Sequence, residues 1–485
     1  MRKKLSILLG AALLAGAMSG CGSTGAAKPV DADKGSSQEA VRTQESQTET
    51  KSEEETVVVK LGLAPLAEDA PEVWDKYNKD LETFAKDHPD VTIENARYDY
   101  GTDTFVPLAE SGNLPTIYNT WFSEPQKLIS NGYAADITDI LEERGWLDVM
   151  NKSILGILSD KDGRVYGVPA QGYALGLMQN VNLFKEAGLV DEAGIPLRPA
   201  NWEEVAQYAQ IIKEKTGVPG LCILAQDNGA GWHFTNIAWG YGAEFSKKND
   251  DGTYTANVNS PEAIEAMEFV KALKWEYDVL TDDPLSENGG TGIAHIAAGT
   301  AAMVIGANDA TSALVDNGAE LGDFALCAFP AGPKGQYSLF GGTPYMFSPD
   351  ATEAEINAAL DFMTLYNGIG PNASEEELDS IAKRNIQQGY PVMPSFKLWD
   401  SPELNAVIDR VIEKNSNMDS ALYQDYFDTI VKDGNLHLEE PAATQDLYAE
   451  LTKVLQAVLT DKDADVASLM ETANNNYQII LDGLN

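Results

Sequence analysis

Between Arg164 and Phe184 the chain reads RVYGVPAQGYALGLMQNVNLF. Two apolar, β-prone runs, Val165 to Pro169 and Ala174 to Met178, stand on either side of Gln171, Gly172 and Tyr173. A parallel crossover needs about a dozen residues or more, so runs this close form one extended path and not two neighbours in a sheet. Polar and aromatic residues at the midpoint of such a path lie between two bodies of structure. A chain built around this stretch passes from one lobe to another.

Length agrees with that reading. Single cores stop growing near roughly 250–300 residues, and this chain has 485, with 44% hydrophobic residues. Its beginning is set apart. Arg2, Lys3 and Lys4 precede the apolar run Leu5 to Ala17, too short to span a bilayer, and Met18, Ser19 and Gly20 precede Cys21. Residues 1–20 therefore read as a secretory leader. Residues 21–56 hold no aromatic side chain and cannot bury enough apolar surface to offset their ordering entropy. As a random coil they form a tether reaching roughly 30–35 Å. The net charge of −41 argues against nucleic acid or an anionic membrane surface as partner.

The rest alternates between strand and helix signals. VVVKLGLAP (57–65) reads as a strand, Val73, Trp74, Tyr77, Leu81 and Phe84 recur at helical spacing, and VTIENARYD (91–99) alternates. Strand, helix, strand implies a parallel sheet in an α/β layer. Asn201 with Glu204, Ser260 with Pro261, and Thr352 with Glu355 mark helix starts. GLCILAQ (220–226) reads as a strand emptying into the polar and aromatic loop DNGAGWHFTNIAWGYG. AAMVIGAND (301–309) and FALCAFP (324–330) are further strands, and the tail from Leu447 to Leu481 is helical.

Catalytic signatures are missing. The chain holds no Gly-x-Ser-x-Gly, His-Glu-x-x-His, Walker loop or Cys-x-x-Cys. A glycosidase needs only two carboxylates, and 75 acidic residues keep that alternative open. Asp461, Asp463 and Asp465 imitate the start of a calcium loop, but Val466 stands where glycine is required and Thr472 where glutamate is; helix-capping carboxylates are the better reading, and no metal is expected. Cys222 and Cys327 sit in apolar runs; a disulfide is open to them outside the cell, but two buried thiols is the favoured reading.

The Tyr166-Gly-Val-Pro crossover, SLFGGTPYMFSPD (338–350), GYPVMPSFKLWDSPE (389–403) and EEPAATQDLYAELTKVLQAVLTDKDAD together resemble the family 1 extracellular solute-binding proteins that feed carbohydrate ABC importers. The Ser-Gly-Cys ending of the leader resembles a bacterial lipobox, which implies a lipid-anchored protein, lipidated at Cys21, on the extracytoplasmic face of the membrane. The resemblance implies an α/β, two-lobed, periplasmic-binding-protein-like (type II) clamshell with three interlobe crossovers. Lobe 1 is then 57–172 with 342–394, lobe 2 is 173–341 with 395–485, and the hinge segments are 169–175, 340–346 and 392–398. Expected partners are a carbohydrate, ABC permease subunits and the bilayer; the protein is a monomer without a cofactor.

Sugars need flat aromatics for their C–H faces and bidentate polar groups for their hydroxyls. In α/β lobes, ligands sit beyond the carboxyl ends of strands. Trp121 and Glu124 follow one strand, Gln226, Asn228, Trp232 and Trp239 another, and Asn308 and Asp309 a third. Gln171 and Tyr173 lie in the first crossover, Tyr345 is near the second, and Trp399 follows the third. Trp121 and Trp232 are expected to face each other across the cleft, whereas His233 reads as structural. Many family members carry an aromatic where Asn308 and Asp309 stand here. The rival readings are a surface-anchored carbohydrate-active enzyme and the same clamshell holding a peptide or polyamine.

Overall fold

The computed structural model describes residues 56–66, 71–430, 432 and 434–484. The leader, Cys21 and the tether up to residue 55 lie outside the described residues. Ten strands occur among them: β1 (Val57–Leu61), β2 (Val91–Asn95), β3 (Ile117–Asn119), β4 (Gly167–Asn180), β5 (Ser246–Lys248), β6 (Tyr254–Ala256), β7 (Met303–Ala307), β8 (Phe324–Cys327), β9 (Ser338–Phe347) and β10 (Leu436–Leu438).

The stretch 164–184 contains one unbroken strand of 14 residues. Along its first half, β4 pairs antiparallel with β9, from Gly167↔Met346 to Ala174↔Phe340. Along its second half it is flanked by β7 and β8, both antiparallel. The strand order is β2-β1-β3-β9-β4-β7, with β1 parallel to β2 and β3. Each crossover strand contributes to both lobes. Val168, Tyr345 and Phe347 pack with Leu61, Tyr77, Phe84, Ile117 and Phe362 in the first lobe's core. Leu175, Leu177 and Leu339 pack with Trp202, Phe234, Met267 and Leu451 in the second's. Ala174 and Met178 face the other way, onto Phe324, Leu326 and Tyr426. A strand buried on both faces has a continuous apolar sequence with no polar alternation.

Local signals carry most helices. Asn201 accepts from Glu204 N, Ser260 caps the helix Pro261–Trp275, and Thr352 forms a reciprocal box with Glu355. Asp465 caps the last helix, Val466–Asp482, as expected of a capping carboxylate. Cys222 and Cys327 are buried free thiols.

Three expectations are corrected. Residues 220–226 form no strand, only isolated bridges from Leu221 to Leu280 and from Cys222 to Val304. The stretch after them is no loop but the helix Asn228–Tyr241, capped by Asp227 accepting from Gly229 N and ended by Gly242 in the left-handed region. It is buried nearly all round, so it lacks the one-sided apolar stripe that betrays a surface helix. Finally, the third hinge segment, 392–398, is not a strand, although Met393 and Phe396 pack against the second lobe's core. Trp399 and Leu404 still pack in the first lobe's core, because Trp399 meets Trp146 edge-on at 5.5 Å. Met418 is in the second lobe's core.

Candidate functional site

Both lobes line a cleft of ≈ 850 Å³. The first lobe supplies Trp121 and Ser123 from the turn after β3, Lys127 from the helix Pro125–Ser130, and Thr102 and Asp103 from the start of the helix Thr102–Glu110. Tyr173 enters from the crossover strand β4. The second lobe adds Asp227, Asn228 and Trp232 at the start of the helix Asn228–Tyr241. Glu439, Gln445, Asp446 and Tyr448 complete it, beside and within the first turns of the helix Thr444–Thr460.

Trp121 is 41% exposed, the most open of the aromatic side chains named above, with Tyr100 edge-on at 5.1 Å beneath it. The Tyr100 hydroxyl donates to Glu124, which is 2% exposed. Burial raises the Glu124 carboxyl above the ordinary range. Glu124 thus supports the Trp121 turn from below and does not face the cleft. Across the cleft Trp232 is half-buried, with Tyr173 edge-on at 6.1 Å. Asn228 Nδ2 donates to the Gln445 backbone carbonyl at 3.1 Å and to its side chain at 3.2 Å. His233 is buried behind Trp232 and pushed down to about 3, hence neutral, by desolvation.

Of the twelve residues expected at the site, the cleft brings together Trp121, Tyr173, Asn228 and Trp232. Gln226 lies just outside, its Oε1 accepting from Asn288 at 2.7 Å. Gln171 is exposed on β4 and does not line this cleft. Asn308 and Asp309 line a separate cavity of ≈ 410 Å³ with Asn385, Tyr390 and Ser395. Water still reaches Asp309, but enclosing protein pushes its carboxyl up to about 6. Three aromatics belong to the cores. Trp239 is 1% exposed and stacks on the His437 ring at 3.8 Å. Tyr345 is buried with its hydroxyl accepting from Asn367 at 3.1 Å, and Trp399 sits against Trp146. A strand end or loop in sequence does not tell which side of the backbone meets the cleft; packing does.

Sequence reasoning missed Asp103, Lys127, Glu439, Gln445, Asp446 and Tyr448. Glu439 is mostly enclosed, accepts from the Tyr448 hydroxyl at 2.8 Å, and is pushed up to about 7, first by burial and further by the charge of Glu124. Nothing in the run EEPAATQDLY marks Glu439, Gln445, Asp446 and Tyr448 as cleft-lining; the cue it offers is a cluster of polar groups at a helix start. Chemically, the cleft combines ring faces, amides, hydroxyls and carboxylates, and no metal-holding group of His, Cys, Asp or Glu occurs among the described residues. No helix among them is long and apolar enough to cross a membrane.

Residues 66–368 match the family described as bacterial extracellular solute-binding protein. A binding protein of Brucella abortus (strain 2308) is 28% identical over 211 residues, 42% of this chain and 47% of its own length. The chain thus spans about half the length of the curated relatives it matches. Among solved structures, an ABC transporter solute-binding protein from Thermotoga lettingae bound with α-D-tagatose is 18% identical, with a TM-score of 0.66 over 84% of this chain and 96% of that one. Maltose-bound MalE3 of T. maritima is 16% identical, with a TM-score of 0.64 over 88% and 99%. Both likenesses are of fold.

Proposed function

We propose a carbohydrate-capturing role for this chain, which belongs to the bacterial extracellular solute-binding protein family. The observation that carries the reading is that Trp121 of the first lobe and Trp232 of the second line one cleft, with Tyr173 at the crossover between them. Aromatic faces on two sides and amides between them suit a pyranose chain, whose C–H faces stack while its hydroxyls take bidentate partners. A cleft of ≈ 850 Å³ has room for more than one sugar ring, so an oligosaccharide is the ligand class.

Capture works by hinge closure on the paired strands β4 and β9. A ligand that touches both lobes binds the closed state better than the open one, and only that difference shifts the equilibrium. The loaded protein then hands its sugar to the permease of an ABC importer. Lipidation at Cys21 holds it at the extracytoplasmic face of the membrane, with residues 21–56 as tether. The same neighbours include a chitin-oligosaccharide-binding protein and a glycerophosphocholine-bound one, so the fold alone does not choose the solute.

Calorimetric titration with a panel of oligosaccharides, with chromatography of the cell contents afterwards, tests the reading. Saturable binding with the sugar recovered intact is expected. Cleaved product would point to a carbohydrate-active enzyme, and binding of peptides or polyamines alone would remove the sugar.

A further inference from the structure

The charge lining the cleft is one-sided. Asp103, Asp227, Glu439 and Asp446 face it, and Lys127 is the one basic side chain among the lining residues. None of these four carboxylates takes part in an ion pair among the described residues. Carboxylates bind neutral hydroxyls too, so a count alone decides nothing. Glu439 decides more. It is mostly enclosed, its only side-chain hydrogen bond among the described residues comes from the neutral Tyr448 hydroxyl, and the charged group that acts on it is Glu124, buried beneath the first lobe's wall. A carboxylate taken out of water needs a cation or several donors, and here a second negative group is its charged neighbour. Burial pushes its carboxyl up to about 7, and the charge of Glu124 adds to that shift. The rings of Trp121, Tyr173 and Trp232 line the same space, and aromatic faces attract cations.

We propose that the carbohydrate taken by this cleft carries a protonated amine, as an oligosaccharide of deacetylated hexosamine units does, with its ammonium group set against Glu439 and Asp446 and flanked by Tyr173 and Trp232. The inference rests on the carbohydrate reading above and narrows it. The ring faces hold the pyranose; the ammonium supplies positive charge where four carboxylates face a single lysine.

Calorimetry on the full described fold tests it with four probes: a β-1,4-glucosamine oligomer, the same oligomer fully N-acetylated, a neutral glucose oligomer, and spermidine. The amino sugar should bind about tenfold tighter than its acetylated form, and its affinity should fall as salt is raised. Glu439→Gln keeps an acceptor for Tyr448, so at about pH 5, where Glu439 of the folded parent is protonated, it should melt like the parent, yet it should bring the two forms near parity in binding at neutral pH. At about pH 5.5, where the free amine is already protonated and Glu439 is not yet ionised, proton release into buffer on binding the amino sugar, absent in Glu439→Gln, is the second readout. Equal or tighter binding of the acetylated or glucose oligomer overturns the proposal and leaves the carbohydrate reading standing. Binding of spermidine without any sugar, or of no probe at all by a cooperatively melting protein, overturns both.

Discussion

Gln445 Nε2 donates to Ser123 Oγ at 3.1 Å, a hydrogen bond that joins the second lobe to the first across the mouth of the cleft. The same residue accepts from Asn228, so one side chain ties together three segments that line the site. A contact made only when the lobes are near each other stabilises the closed state before any ligand arrives, and a hydrogen bond of this kind contributes about 0.5–1.5 kcal/mol net. Gln445→Ala should therefore raise the radius of gyration of the ligand-free protein and weaken sugar binding roughly two- to tenfold. Scattering and affinity both unchanged would mean that the contact is incidental to closure.

Trp121 and Trp232 should separate binding from folding. Removing either ring takes away one stacking face, costing about 1–3 kcal/mol of binding, or one to two decades of affinity. Trp121, at 41% exposure, should leave the melting temperature nearly unchanged. Tyr77 and Phe84 lie in the first lobe's core, and Phe84→Ala should cost about 3–5 kcal/mol of stability. Trp74 is a poorer control than its helical spacing suggests, because it is only half-buried and its indole N–H is donated to the Leu66 carbonyl at 2.9 Å. Tryptophan variants that melt early but bind normally would relocate the site.

Gly341 allows Tyr173 its place. A Cβ at Gly341 would come within 2.5 Å of the Tyr173 ring tip. Gly341→Ala should push that ring within the cleft and lower affinity by about tenfold, a change of ~1.4 kcal/mol, with a smaller loss in melting temperature than Phe84→Ala. Wild-type affinity in this variant would show that Tyr173 does not contact the ligand.

The pH dependence of stability has a definite sign. Glu439 is raised from an ordinary 4.5 to about 7, chiefly by burial, with Tyr448, Tyr173 and Glu124 as its titratable neighbours. The folded state then binds the proton more tightly than the unfolded one, so this stabilisation is full below about pH 4.5 and is lost as pH rises through 7. Asp309, raised from 3.8 to about 6, acts in the same direction. Melting temperature in the absence of ligand should fall between pH 5 and 8, about where these groups deprotonate, and Glu439→Gln should flatten part of that fall. Parallel profiles for parent and variant would remove Glu439 as the cause.

Cys21 is testable in cells. A single acyl chain gives only marginal membrane binding, so stable anchoring needs more than one. Cys21→Ala should release the protein into the medium, and retention of the variant on the membrane would sink the anchor.

Much of the fold was legible because its signals are local. A capping pair such as Asn201 and Glu204, or Thr352 and Glu355, satisfies backbone donors within four residues. The crossover was legible because burial on both faces demands the apolar run that surrounds Gln171 and Tyr173. The helix Asn228–Tyr241 was not, because burial on every side removes its period and glycines at 229, 231 and 240 imitate a loop. Gly231 is there for a distant reason: a Cβ would land 2.2 Å from the Tyr448 carbonyl, where the helix Thr444–Thr460 crosses it.

By itself, then, the amino-acid sequence determined the two-lobed α/β architecture and the strand that joins the lobes, and it pointed to Trp121, Tyr173, Asn228 and Trp232, which line one cleft. These follow from hydrophobic period, capping chemistry and side-chain type, all written within a few consecutive residues. Only the tertiary structure decided that Trp239, Tyr345 and Trp399 turn into the cores. It alone also decided that Glu439, Gln445 and Tyr448 reach a cleft whose other wall, at Ser123, stands 322 positions from Gln445. Which face of a strand or helix meets a cleft depends on what packs against the opposite face, and that neighbour is supplied by a part of the chain no local pattern can see.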